Sequence, residues 1–144
     1  MSKDRIAKAT TTVDAPVTKV WDAFVNPRII KQYMFGTDVA SDWKKGSPIT
    51  WKGEFQGKKY EDKGTILEIE PERRLRYTHS SNLAPGEEHT VTVELTPRGK
   101  QTVITLLQDN NATDEARQHS EKNWEMMLGG LRKIVESGND HGRV

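Results

Sequence analysis

The strongest constraint on this chain is a change of hydrophobic period. Between Thr37 and Gln108 apolar residues recur mostly at every second position, whereas the flanking segments repeat at helical spacing. Side chains alternate across a strand and return to one helix face every three or four residues, so a sheet and helices must share one core. In "SPITWKGEF", Ile49, Trp51 and Phe55 alternate with Thr50, Lys52 and Glu54, and Gly53 completes the inward row. "RLRYTHS" sets Leu75, Tyr77 and His79 against Arg74, Arg76 and Thr78, and "HTVTVEL" places Val91, Val93 and Leu95 on one face. "GKKY" and "TPRGK" read as turns, "SNLAPGEE" reads as a loop, and Pro71 ends the strand "YEDKGTILEIE". Turn signals at this spacing predict an antiparallel meander. Alternation fails in "GTILEIE" and "TVITLL", which predicts either cover on both faces or a bulge.

The flanks read differently. "IAKATTTV" predicts a first strand over Ile6 to Val13. A helix then starts at Asp14 or Ala15 with Pro16 in its first turn, where a missing N–H costs nothing. Val17, Val20, Trp21 and Phe24 form its apolar face, with Trp21 packing under the short helices. Pro27 breaks this helix, and "PRIIKQYM" makes a second short one. Near the other end Thr113 is a plausible N-cap, with Asp114 and Glu115 in the first turn of a helix running to about Glu136. Trp124, Met127, Leu128, Leu131 and Val135 make one stripe along it. Gly129 and Gly130 in its centre predict a close backbone approach or a bend, and the tail beyond Gly138 is expected to fray.

One strand, two short helices, further strands and a long helix define an α+β helix-grip fold. It is a curved antiparallel sheet of about six to seven strands wrapped around the C-terminal helix. A chain of 144 residues fits a single domain, with a core expected over about residues 6–136. One helix seldom fills the concavity of such a sheet, so a cavity between them is expected.

The stretches "DAPVTKVWDAFVNP", "KGSPITWKGE", "YEDKGTILEIEPERRLRY" and "NWEMMLGGLRKIVE" resemble the START-like SRPBCC superfamily. Within it they are most similar to the family of homologues of the heat-shock ATPase activator, from Ile6 to Glu136. Tyr33 stands where relatives often carry tryptophan, and Gly46 stands alone where many carry a pair. The resemblance implies a helix-grip fold, a small apolar or amphipathic ligand, and, through the co-chaperone, a link to the stress response. The co-chaperone makes its chaperone contact through an additional N-terminal domain, which is not expected in this chain.

Several classes are disfavoured. The net charge of +1, from 22 basic and 21 acidic side chains, gives no field for nucleic acid or an acidic membrane. There is no cysteine, which removes disulfides, thiolate zinc sites and thiol nucleophiles. His79, His89, His119 and His141 lack metal-ligand spacing, so no metal is expected. Phosphate-cradling, dinucleotide and GxSxG motifs are missing, so no cofactor is expected. No signal peptide or membrane span is legible, which points to the cytoplasm. The edge strands leave monomer and homodimer open.

The expected ligand-binding wall is Trp51, Phe55, Tyr60, Ile66, Glu68, Tyr77, His79, Trp124, Met127, Leu128 and Leu131. Three functions compete. The first is a carrier or sensor holding an apolar or amphipathic small molecule in that wall. The second is a cyclase- or dehydratase-like enzyme with Glu68 and His79 as acid–base partners and Tyr77 orienting substrate. It requires Glu68 to point inward, against the plain alternative of an ion pair with Arg74 or Arg76. The third is a co-chaperone-like module using Trp43 in "ASDWKKG" as an exposed anchor, against Trp43 folded onto the rim.

Overall fold

The structure, a computed structural model, describes residues 5–34, 36–81 and 84–141. It begins with strand β1 (Ala7–Val13) and helices α1 (Val17–Val25) and α2 (Pro27–Tyr33). Strands β2 (Asp38–Ser41), β3 (Pro48–Phe55), β4 (Lys58–Glu70), β5 (Arg74–Ser81), β6 (Ala84–Arg98) and β7 (Gln101–Gln108) follow, and α3 (Asp114–His141) closes the chain. Among the described residues the strands form one antiparallel sheet in the order β1-β7-β6-β5-β4-β3-β2. This is the expected α+β helix-grip architecture, with β2 as a short strand that has no alternation signature of its own.

The break between α1 and α2 is local chemistry. Asn26 is extended (φ −106°, ψ 110°), as a residue before proline is pushed to be. Its side chain accepts the Arg28 N–H at 3.0 Å, and Pro27 occupies the first helical position, where it has no N–H to lose. Helix α1 begins at Val17 with Pro16 preceding it, slightly later than the sequence suggests. The Tyr33 hydroxyl donates to the Ala23 carbonyl at 2.7 Å, which ties α2 back onto α1. A Cβ on Gly130 would stand 3.4 Å from the Tyr33 Cβ, so this glycine marks the approach of α2 to α3, whereas Gly129 faces open space.

At the start of α3 the Thr113 hydroxyl accepts the Ala116 N–H at 3.0 Å, the predicted cap. The helix continues to His141, so residues expected to fray from Gly138 are helical to that point. The segment expected to be a loop after Ser81 is also shorter, because β6 reaches back to Ala84. Strand β7 buries Thr102, Ile104 and Leu106 and leaves its other residues more exposed, so it is not covered equally on both faces.

The irregularity in "GTILEIE" is a bulge. Ile66 pairs with Tyr77, but Glu68 pairs with Arg76, so Leu67 is the extra residue. Leu67 is turned outward, while Ile66 before it and Leu75, the partner of Ile69, are buried. Just before the bulge β4 and β5 come so close that a Cβ on Gly64 would collide with the Thr78 backbone, 2.7 Å from its carbonyl carbon. Only glycine fits there.

Candidate functional site

The inward row of the sheet follows from register. The turn at Gln56 and Gly57, both with positive φ, joins β3 to β4 so that Gly53 pairs with Tyr60 and Trp51 with Asp62. Across β5 and β6, Leu75 pairs with Val93, Tyr77 with Val91 and His79 with His89. Residues paired in this way share a face. At one end the row is Ile66, Leu75, Val93, Ile104 and Leu106, all buried under Leu128, Leu131 and Val135 of α3. At the other end it is Tyr60, Asp62, His79, His89 and Gln108, beneath Ser120, Asn123, Trp124 and Met127. There the helix leaves a cavity of about 500 Å³.

The polar groups at this end are held by defined bonds. His79 Nε2 meets Asp62 Oδ2 at 2.7 Å, and Trp51 packs edge-on against the imidazole with ring centres 5.0 Å apart. The Asp62 carboxylate thus orients the ring, while its Oδ1 has no hydrogen-bond partner among the described residues. His89 Nδ1 lies 2.9 Å from the Asp109 carbonyl, which fixes the proton on Nδ1 and leaves Nε2 as an acceptor in the neutral ring. The Thr37 hydroxyl donates to the Met34 carbonyl at 2.6 Å, so the Tyr60 hydroxyl is the donor in its short bond to Thr37. The Tyr60 ring lies across Gly53, where a Cβ would come within 2.6 Å of it. Trp124 Nε1 donates to Gln108 Oε1, pinning α3 to β7. Burial pushes the Tyr77 phenol well above the ordinary tyrosine range.

The expected wall divides in three. Trp51, Tyr60, Tyr77, His79, Trp124 and Met127 line the cavity. Leu128 lines only a crevice of about 30 Å³ beside it, and Ile66 and Leu131 are fully buried core. The Phe55 side chain lies outside the described residues.

Glu68 is the correction. The Leu67 bulge reverses the alternation, so Glu68 lies with Arg74 and Arg76 on the outer face. It pairs with Arg74 at 3.3 Å and Arg76 at 3.9 Å, and Arg74 also holds Glu94 at 2.5 Å. The acid–base pairing of Glu68 with His79 is therefore excluded by geometry. Trp43 takes the second of its two readings, because its side chain is half-buried and packs against the core instead of standing free. Trp21 is half-buried and packs against the core, as a structural residue should.

Sequence reasoning did not single out Asp62, Gln108 or Thr37, and it weighed His89 only as a metal ligand. Asp62 was accessible to it, since the count that sets Gly64 and Ile66 inward also sets Asp62 inward. Among the described residues no group of three or more His, Cys, Asp or Glu side chains could hold a metal ion, and no helix is long and apolar enough to cross a membrane.

A curved sheet gripping one long helix, with a cavity at one end, defines the START-like class, the SRPBCC superfamily. Within it, residues 14–136 match the sequence model described as Activator of Hsp90 ATPase homolog 1-like protein, and the chain belongs to that family. The solution structure of ChR145 from Cytophaga hutchinsonii is 50% identical, covering 97% of this chain and 99% of that one, with a TM-score of 0.84. The crystal structure of CalU16 from Micromonospora echinospora is 25% identical over 88% of this chain and 73% of that one, with a TM-score of 0.71. The Aha1 dimer from Colwellia psychrerythraea shares the fold at 19% identity, covering 91% of this chain and 96% of that one, with a TM-score of 0.73. Comparison with curated proteins finds no match.

Proposed function

We propose that this chain is a small-molecule binding protein that holds an apolar or amphipathic ligand between the sheet and the N-terminal half of α3. The observation that carries this reading is the cavity of about 500 Å³, walled by Trp51, Tyr77, Trp124 and Met127. That volume falls within the range of about 300–1,000 Å³ typical of ligand pockets. Met127 suits a variable wall, since its side chain is flexible and polarizable. Superfamily membership supports the same reading.

Native mass spectrometry of gently purified protein, followed by titration of long-chain alcohols against tryptophan fluorescence, tests it. Trp51 and Trp124 should respond, and Met127→Trp should abolish the response while the protein still melts cooperatively. Failure to find any co-purifying or added ligand, or a response indifferent to Met127→Trp, would contradict the reading.

One observation favours a second reading. The His79–Asp62 pair supplies an oriented imidazole inside the cavity, the arrangement general acid–base catalysis needs. In this form the partner of His79 is Asp62, and His79→Gln should stop turnover of a bound substrate without preventing its binding. The co-chaperone reading has less support, because the anchor it requires at Trp43 is packed against the core.

A further inference from the structure

Asp62 is held at one oxygen and unpartnered at the other. Its Oδ2 accepts a hydrogen bond from His79 Nε2 at 2.7 Å, while Oδ1 is buried without a hydrogen-bond partner among the described residues. The side chain is 16% exposed and lies on the cavity wall. A desolvated carboxylate oxygen without a donor is costly, and native structures seldom leave one so. Neither nearby imidazole relieves it, since the His79 contact is at Oδ2 and His89 Nδ1 is bound to the Asp109 carbonyl. The described lining residues include two acids, Glu54 and Asp62, and no Lys or Arg.

We infer that the ligand of this cavity carries an O–H or N–H donor on its polar end, accepted by the Asp62 carboxylate, and carries no carboxylate there. The ligand class is an alcohol, phenol or amine on an apolar body, and fatty acids are selected against. The cause is electrostatic. An anionic head would face two carboxylates with no Lys or Arg among the described lining residues to offset them, whereas a donor adds to the hydrogen bonding of Asp62. This inference rests on the binding reading above and specifies the chemistry of its polar end.

Four naphthalenes of matched shape test it at neutral pH by isothermal titration calorimetry: 2-naphthylmethylamine, 2-naphthalenemethanol, 2-methylnaphthalene and 2-naphthoate. The amine and the alcohol should each bind at least about tenfold tighter than the methyl compound, the effect of one hydrogen bond to a charged group. The naphthoate should bind weakest. The order of amine and alcohol tells a cationic from a neutral donor. Asp62→Asn should reduce the amine's advantage about tenfold and leave the methyl compound unchanged. The ranking in the unaltered protein is decisive even if that variant fails to fold. Binding of 2-methylnaphthalene as tight as the donor compounds, or tightest binding of 2-naphthoate, overturns the inference alone. Failure of all four overturns the binding reading and the inference together.

Discussion

The two halves of α3 meet the same sheet and do opposite things. Its C-terminal half sets Leu128, Leu131 and Val135 into Ile66, Leu75, Val93 and Ile104, leaving each of these side chains almost no exposed surface. Its N-terminal half spans a void of about 500 Å³ above Asp62, His79, His89 and Gln108, held up by the Trp124–Gln108 bond. The backbone scaffold is continuous across both, and only the inward side chains change. One end is built for stability. The other leaves polar groups under a partly apolar roof, an arrangement that stability alone does not favour.

The largest expected effect separates the ends directly. Leu131→Ala should cost about 2–5 kcal/mol by opening a cavity in a packed region. Met127→Ala, which enlarges a void already present, should cost about 1 kcal/mol or less in the same chemical-denaturation experiment. Equal losses at the two positions would mean that the cavity collapses in solution.

Next in size is Gly64→Ala. Its Cβ meets the Thr78 backbone, so β4 and β5 must part beside the bulge. A loss of about 1–3 kcal/mol is expected in thermal melts, the usual cost of overpacking. Because Thr78 adjoins His79, the variant should also weaken ligand binding. A stable variant with normal binding would show that the strands separate freely there.

A pH effect should sharpen the contrast. Burial raises the phenol pKa of Tyr33, which belongs to the packed end, and of Tyr77, which belongs to the boundary. When the folded pKa is raised, the unfolded chain ionises first. The associated stability is complete below about pH 10, the unfolded value, and is lost as pH rises beyond it. Denaturant midpoints should therefore fall above about pH 10. Tyr33→Phe should start lower at neutral pH, having lost the bond to Ala23, but decline less steeply in alkali. An unchanged alkaline slope would place the sensitivity elsewhere. The smallest effect belongs to the outer face of α3, where Arg132→Ala should stay within about 0.5 kcal/mol by the same measurement despite the Arg132–Glu136 pair at 3.2 Å.

The packed end was legible in the sequence because its signals are periodic. Val91, Val93 and Leu95 alternate, Leu128, Leu131 and Val135 share a helical stripe, and both patterns survive folding unchanged. The polar end was read only in part. Tyr60, Tyr77 and His79 follow from alternation, but Glu68 does not, because the count breaks at a single extra residue, Leu67. A bulge leaves only a faint trace in sequence, here the adjacent apolar pair Ile66–Leu67. Asp62 lay within reach of the same count and was passed over for another reason. A carboxylate on an inward row looks like an exception until register sets it opposite Trp51 and its partner His79 comes across from β5.

The central claim is that a ligand enters beneath the N-terminal half of α3. Methionine methyl NMR tests this most directly, because Met34 and Met127 line the cavity while Met126 stands exposed beside them. With [13C]methyl-methionine protein titrated with 2-naphthalenemethanol, the Met34 and Met127 resonances should shift together and saturate, and Met126 should stay in place. Saturating shifts at Met126 with Met34 and Met127 unmoved would contradict the account.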